Sequence, residues 1–525
     1  MGQPAAPTLA APNHGQRFLD NVLWGWSGVA TNIALALFLN PYMIRRLGAE
    51  RYGIWALIFT VVDYFWFFDL GLNTAITNFC ARYWAAAEIE KINEVINTAL
   101  FYFSAISLIV MALTIGLADN LRAFFRVPAA YQADFSSLIQ LTGVSWALCI
   151  VMNLFVSALQ GFQRFDLENR VWVASLALRS AGYFLALSRG YGLVAMATIY
   201  VLSQLLAYVF QVRNFRGVFK ELRLSAKLVK FSVFGQIASY GLKSFVANTA
   251  TLVLNQSAPV LIGHYAPPAY VGFYTLPSRI LQHAGDAVSR VGFVTRSSAA
   301  ELSAKGRKET VLKLGVYSNR YSLTLFMPLV IVLLLYGRDL ILRWVGPLFA
   351  LNSAPLLPVF LVSTSLVLAG QFNSSSLLYG ISGHGSYARG VAVEAVLNVT
   401  GMILVIPKYG IMGAALVSSG LMLLVRGLYT PWLVSRHLEF GVIEYMRRIY
   451  IRPILTAVPV ALLAWLLRTR WLSGRTWFEL ITAAVLIGLS YEALALFTCI
   501  ERQHRILLLA RIPLVGERLA AVAAA

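Results

Sequence analysis

The chain has 525 residues, of which 58% are hydrophobic and only 13% charged, with a mean hydropathy of +0.69. A soluble domain carries about 25% charge, so a soluble globular protein is excluded and an all-α polytopic membrane protein remains. Lys and Arg number 43 against 23 Asp and Glu, a formal net charge of +20, which suits a chain that sits beside or holds anions such as lipid headgroups or anionic cargo.

In chain order, residues 1–18 read as a mobile cytoplasmic tail, since the first sixteen contain no basic residue and the apolar run that follows is too long for a cleavable signal. Uninterrupted apolar stretches bounded by Arg, Lys, Pro or Gly predict a first series of spans near 19–44, 52–76, 96–117, 134–160, 170–188 and 191–212. A second series follows near 232–262, 269–293, 315–336, 355–380, 386–407 and 410–433, with a final pair near 453–468 and 477–499. That is about fourteen crossings of roughly 20–23 residues each. The expected organisation is an N-terminal six-helix lobe over 19–225, a C-terminal six-helix lobe over 226–440, an amphipathic segment with helices 13 and 14 over 441–500, and an amphipathic cytoplasmic tail over 501–525.

With the N-terminus inside, basic residues favour the inner loops by roughly two to one, as the positive-inside rule requires. The excess is concentrated in Arg213, Arg216, Lys220, Arg223, Lys227 and Lys230, and again in Lys305, Arg307, Lys308 and Lys313. Stretches 78–95 and 438–452 mix aromatic, apolar and charged residues at helical spacing and predict helices lying along the membrane surface. The outer loops are short and leave no room for a catalytic domain. Cys80, Cys149 and Cys499 are too few and too scattered for a disulfide framework or a metal site.

Compared with itself, the chain shows an internal repeat. YGIWAL at 52–57 matches YVGFYTL at 270–276 so that Gly53 pairs with Gly272, an offset of 219. SALQG at 157–161 matches SLLYG at 376–380 at the same offset, and YGLVAMA at 191–197 matches YGIMGAA at 409–415 at 218. A shift of six spans preserves orientation, so the two lobes are expected to be related by a pseudo-two-fold along the membrane normal, with a cargo cleft between them and alternating access by rocking.

The segment LGAERYGIWALIFTVVDYFWFFDLGLNTAITNF, 47–79, resembles the second-span region of polysaccharide biosynthesis flippases, whose pattern is LG, then YG, an apolar run, and DLG. YGIMGAALVSSGL at 409–421 and VGFYTLPSRIL at 271–281 resemble the same family, part of the multidrug, oligosaccharidyl-lipid and polysaccharide exporter superfamily. The resemblance covers spans one to twelve. It implies a flippase of the bacterial inner membrane that moves a polyprenyl-pyrophosphate-linked oligosaccharide between leaflets for O-antigen or exopolysaccharide assembly, in the company of polymerases and glycosyltransferases. The related lipid II flippases carry an Arg-Asp pair early in span one, whereas this chain has Arg17 and then Leu19-Asp20-Asn21. The resemblance transfers no individual site residue.

Arg179, Lys243, Arg279, Arg290, Arg320 and Arg426 fall within predicted spans, with Asp63, Asp69, Asp286, Glu394 and Glu492 as acidic counterparts. Each costs roughly 2.5–3.5 kcal/mol at a helix centre, so each should face a partner or a water-filled cleft. In span eight, Arg279, His283, Asp286 and Arg290 are spaced 4, 3 and 4 and share one helical face; in span seven Ser244, Asn248, Thr251 and Asn255 repeat the pattern beside Lys243. Such a wall suits a pyrophosphate, chelated by Lys243, Arg279 and Arg290, and sugar hydroxyls bound by Ser244, Asn248, Thr251 and Asn255. The competing reading pairs Arg290 with Asp286, and Arg279 and Lys243 with Asp63 or Glu394, to hold the lobes together. The aromatic run Tyr64, Phe65, Trp66, Phe67 and Phe68 suits sugar stacking or interhelix packing.

No GxxxxGK[ST] phosphate loop is present, so an ion gradient, the membrane potential or cargo consumption must drive transport. Asp63, Asp69, Asp286 and Glu394 are the groups for an ion pair or a coupling proton or cation. No cofactor or metal is expected, nor a nucleic-acid partner. The alternatives are a cation-coupled multidrug exporter, a lipid II flippase, a membrane glycosyltransferase or polymerase, and a non-transporting scaffold.

Overall fold

A computed structural model describes residues 14–510, with side chains from Thr31 onward except at a set of positions that includes Lys243, Ser244, Asn248, Asp286 and Arg290. Those five candidate side chains, and the outer parts of both expected tails, lie outside the described residues. All regular structure among the described residues is helical. In hydrocarbon each backbone N–H and C=O must be satisfied within its own segment, which a helix does and an open strand does not.

The first helices are α1 (His14–Asp63), α2 (Leu72–Ala85), α3 (Ile89–Phe124), α4 (Gln132–Gly161), α5 (Phe165–Ser188), α6 (Leu193–Val218) and α7 (Phe231–Tyr265). They are followed by α8 (Pro268–Ala304), α9 (Lys308–Trp344), α10 (Pro347–Ser353), α11 (Leu356–Ser363), α12 (Gly370–Gly380), α13 (His384–Met422) and α14 (Thr430–Leu438). The last three are α15 (Val442–Arg470), α16 (Trp477–Thr498) and α17 (Arg502–Ala510). Among the described residues ten helical stretches are long and apolar enough to cross a membrane. Two of them bend into paired arms at Gly48 (φ 80°) and Gly410 (φ 56°), backbone angles that cost glycine nothing but strain a side chain with a Cβ. Counting each arm, and adding the long helices α7 and α8, the architecture is compatible with fourteen crossings.

The repeat read from the sequence recurs in the backbone. Helices α3 and α9 begin at Ile89 and Lys308, and α4 and α12 end at Gly161 and Gly380, each pair 219 residues apart. Left-handed residues recur at the same interval: Ala87 (φ 55°) with Gly306 (φ 69°), and Gln163 (φ 58°) with Ser382 (φ 62°). One helix contact is made twice. A Cβ placed on Gly161 would lie 2.8 Å from both the Cys80 Cβ and the Thr77 carbonyl oxygen, and one on Gly380 would lie 2.8 Å from the Ala299 Cβ and 2.7 Å from the Arg296 oxygen. All three pairs of positions differ by 219. Because lipid is as apolar as leucine, membrane helices associate through close packing at such small residues rather than through hydrophobic exclusion.

The two copies differ in how their helices are interrupted: α4 is one continuous helix where its counterpart holds α11, a π-helical stretch and α12. In the first half, a 3-10 turn over Tyr64–Asp69 and two left-handed residues, Leu70 (φ 50°) and Gly71 (φ 73°), interrupt the second span. Its counterpart α8 runs on without a break.

By packing, the chain divides into two compact units, one ending at Gly272 and the other beginning at Phe273. Helix α7 packs in the first unit, against α1, α2 and α3. The His264 imidazole Nδ1 lies 2.8 Å from the Phe124 carbonyl, and a Cβ on Gly71 would lie only 2.3 Å from the Gly241 oxygen. The basic connection before α7 is held along α3 by two asparagines one turn apart. Asn93 donates to the Glu221 carbonyl (3.1 Å) and accepts from the Arg223 N–H (2.7 Å), while Asn97 donates to the Arg223 carbonyl (2.7 Å) and accepts from the Ser225 N–H (2.8 Å). Each side-chain amide thus takes the place of a peptide group in a ladder. Lys230 completes the attachment through an ion pair with Glu94.

In the second unit α15 and α16 pack on α9. A polar network of fully buried residues ties α9, α12 and α15: Asn319 donates to Ser374 (2.8 Å) and Tyr445 (3.2 Å), and accepts from the Asn373 N–H (3.0 Å). This corrects the expected surface helix over 438–452. That stretch is the start of α15, because Tyr445 and Ile449 are buried in the core with α9 and α12 residues, and the helix runs on through Pro453. The expected surface helix over 78–95 is likewise divided, α2 ending and α3 starting around the left-handed Ala87. The amphipathic α17 is tethered at its start by Glu501, which pairs with Arg320 and Arg452 at 2.9 Å each.

Gly161→Ala and Gly380→Ala should each destabilise the protein by about 1–3 kcal/mol, the usual cost of overpacking, seen as a lower melting temperature in detergent. Gly116→Ala, where a Cβ meets nothing within 4 Å, should leave it unchanged. The Glu501 carboxyl is held below the usual carboxylate range, burial pushing it up but the Arg320 hydrogen bond and the Arg452 and Arg320 charges outweighing burial. A depressed carboxyl stabilises the fold above its unfolded value, about 4.3, and loses that contribution as pH falls through the lower folded value. The α17 tether should therefore survive to below about pH 4, and hydrogen exchange across Arg502–Ala510 on acid titration should rise only there.

Candidate functional site

In the first unit the interrupted second span gathers polar groups. Asp69 closes the 3-10 turn, and its carboxylate accepts from the Asn73 backbone N–H (3.2 Å) and side-chain amide (2.6 Å), so it caps the incoming α2. The Asn73 oxygen accepts from the Ser157 hydroxyl at 2.9 Å, and Thr77 donates to the Ser157 carbonyl at 3.1 Å. The DLG motif thus has a physical reading: an aspartate that caps, a left-handed leucine, and a left-handed glycine that fits against the backbone of α7.

Six residues earlier Asp63 accepts a 2.8 Å hydrogen bond from the Gln256 amide of α7. The Arg179 guanidinium lies 5.1 Å over the Tyr200 ring, whose edge meets Phe59 on the same helix as Asp63. The aromatic run packs mainly on protein: Trp66 on Trp146 (5.3 Å), Phe67 on Phe245 (6.3 Å) and Tyr64 on Phe67 (5.6 Å). Trp66 is the large aromatic of this run left exposed.

The two predicted stripes fall within α7 and α8. On α7, Thr251 and Asn255 are exposed, while on α8 Arg279 is exposed and His283 half-buried. Asp286 and Arg290, and Lys243, Ser244 and Asn248, lie outside the described residues. Gln256, next to Asn255, is a polar residue the spacing argument passed over.

In the second unit Glu394 finds a partner that the sequence reading did not assign to it. Its carboxylate accepts from Arg426 Nε at 2.9 Å and is 1% exposed. Arg426 sits in a π-helical stretch, Leu423–Tyr429, and Val367 of a second such stretch, Thr364–Ala369, lies against Gly427. A π-helix leaves a carbonyl without its α-helical donor. Tyr450 donates to the Leu366 carbonyl at 2.5 Å, and Thr430 to that of Val425 at 3.4 Å. Arg320, buried on α9, is held by Glu501 and by the Arg448 carbonyl (2.8 Å). The run Gln371-Phe372-Asn373-Ser374-Ser375-Ser376, polar inside an apolar span, was the available signal for the buried network. Among the described residues no three His, Cys, Asp or Glu side chains cluster as metal ligands, and the three cysteines are buried and unbridged.

The chain resembles several known proteins. It is 21% identical over 439 residues to a putative O-antigen transporter of Shigella flexneri, covering 80% of this chain and 98% of that one. It is 22% identical over 514 residues to the uncharacterized membrane protein EpsK of Bacillus subtilis (strain 168), covering 94% and 98%. Among solved structures it superposes on a lipid II flippase in an inward-closed conformation with a TM-score of 0.69 at 14% identity, over 90% of this chain and 98% of that one. It also superposes on an inward-facing multidrug transporter of the MOP superfamily with a TM-score of 0.67 at 15% identity, over 77% and 95%. At those identities the structures establish the fold. The family model for polysaccharide biosynthesis proteins matches residues 18–288, more than half of the chain, and the chain is accordingly a multi-pass membrane protein of the polysaccharide biosynthesis family.

Proposed function

We propose that this protein is a flippase, not an enzyme, that carries a polyprenyl-pyrophosphate-linked oligosaccharide across the bacterial inner membrane for O-antigen or exopolysaccharide assembly. The observation that carries the reading is family membership together with similarity to an O-antigen transporter along 98% of that relative's length. Both termini lie on the cytoplasmic side, as the distribution of basic residues requires. Two six-helix lobes alternate access to a cleft. Lys243, Arg279 and Arg290 hold the pyrophosphate, Arg by bidentate hydrogen bonds and Lys as a point charge, and Ser244, Asn248, Thr251 and Asn255 meet the sugar hydroxyls. An excess of cations over anions on these faces suits an anionic lipid and disfavours a cationic drug.

Asp63, Asp69, Asp286 and Glu394 are the acidic groups offered for coupling a proton or cation; within the described residues Asp63 also accepts from Gln256, Asp69 caps a helix and Glu394 pairs with Arg426. Sodium, protons and membrane potential are distinguishable by measuring transport in vesicles under each gradient alone.

Lys243→Ala and Arg279→Ala should each abolish appearance of lipid-linked oligosaccharide at the outer leaflet while leaving membrane-inserted protein at its normal level. Normal surface polysaccharide in both variants would sink the binding assignment. The Glu394–Arg426 pair should behave differently. Glu394→Gln leaves a buried guanidinium uncompensated, at a cost of about 3–5 kcal/mol, so abundance and melting temperature should fall, and adding Arg426→Gln should restore much of both. Loss of transport with unchanged stability in Glu394→Gln would instead make Glu394 a coupling group.

A further inference from the structure

Apart from the two stripes, the second unit holds a cavity of about 410 Å³ between the first turns of α9, the start of α15 and the junction before α17. Five basic side chains line it, Lys313, Arg320, Arg447, Arg448 and Arg452, against two carboxylates, Glu444 and Glu501. On α15 the positions 444, 448 and 452 recur every fourth residue and 447 and 451 lie beside them, so one face of the helix supplies half of the wall. The back of the cavity is fixed. Arg320 is 4% exposed and is held by both Glu501 and the Arg448 carbonyl. The mouth is open: Arg447, Arg448 and Arg452 keep side-chain exposures of 68%, 47% and 49%. A guanidinium has five N–H donors; hydrogen bonds to Glu444 and Glu501 use one on Arg448 and one on Arg452, and Arg447 lies 3.7 Å from Glu444.

Ile451 in the wall is exposed, and Ile443 and Leu455, eight residues before it and four after it at helical spacing on α15, are exposed as well. A cationic hollow beside exposed isoleucine and leucine, at the end of α15 where charged residues give way to apolar ones, matches an amphiphile with a phosphate head and hydrocarbon chains. A soluble anion would use the hollow and leave these apolar side chains bare. We infer that this cavity binds the phosphate of a lipid headgroup, with the acyl or prenyl chains lying along α15 over Ile451 and Leu455. The site stands on its own residues and does not depend on the transport reading. Two membrane lipids share its chemistry, a resident anionic phospholipid and a polyprenyl pyrophosphate.

The test uses the full chain in phosphatidylcholine nanodiscs, with phosphatidylglycerol, undecaprenyl pyrophosphate or inorganic pyrophosphate added separately, read by native mass spectrometry and by thermal unfolding. Arg447→Glu with Arg452→Glu changes only half-exposed or exposed side chains, and Lys408→Glu, an exposed residue of α13, is the control. The lipid that occupies the cavity should bind at least about tenfold more weakly to the double variant, since each basic residue near the surface contributes about 1 kcal/mol, and equally well to Lys408→Glu. Loss confined to phosphatidylglycerol identifies a resident phospholipid, and loss confined to undecaprenyl pyrophosphate identifies the prenyl lipid. Equal binding of both lipids by the parent and the double variant would overturn the site. So would inorganic pyrophosphate reproducing the full thermal shift, because the apolar side chains of α15 would then have no part in it.

Discussion

Inside a hydrocarbon slab no water is available to solvate a peptide group or a charge, so each must find its partner within the protein. The rest of this structure follows from that requirement. It explains why the described regular structure is helical. It explains why Glu394 and Arg426 are 2.9 Å apart although 32 residues separate them, and why four polar residues, Asn319, Asn373, Ser374 and Tyr445, can be fully buried together. A buried pair of charges adds little net stability, because desolvation offsets the attraction, yet loss of one partner is costly. The Glu394–Arg426 pair therefore fixes which face α13 turns toward the second π-helical stretch more than it strengthens the fold.

The same requirement sorts the charges. Arg320, Arg426, Glu394 and Asp69 have partners that tie one helix to another or cap a helix end. The stripes proposed for cargo differ in sequence: beside Lys243 the helical spacing brings Ser, Asn and Thr, and with Arg279 it brings His, Asp and a second Arg. A stripe of that kind on a long membrane helix is costly unless it faces water or cargo.

Repetition, and departures from it, shape the chain. Cys80–Gly161 and Ala299–Gly380 are the same close helix contact made twice, so each half is assembled by the same packing at small residues. The halves differ where the second span of the first repeat is interrupted by Leu70 and Gly71 while α8 continues. The interruption gives the first repeat an aspartate-capped turn seated on α7. The second repeat instead carries a continuous helix past the corresponding positions.

The sequence by itself determined what depends on local composition or self-comparison. Hydropathy over twenty residues places spans because transfer into lipid is roughly additive along a helix, and the 219-residue offset was readable because both copies keep their glycines where helices end or touch. The polar stripes were readable for the same reason, since a helix converts spacing directly into a face. What only the tertiary structure decided is how each helix is rotated and which neighbour it meets. That Asp69 caps α2, that Glu394 meets Arg426, that α7 packs with the first unit, and that residues 442–452 enter the core through Tyr445 and Ile449 each depend on contacts between segments far apart in the chain. Such contacts are chosen by the fit of whole helix surfaces, and no local window of sequence contains that information.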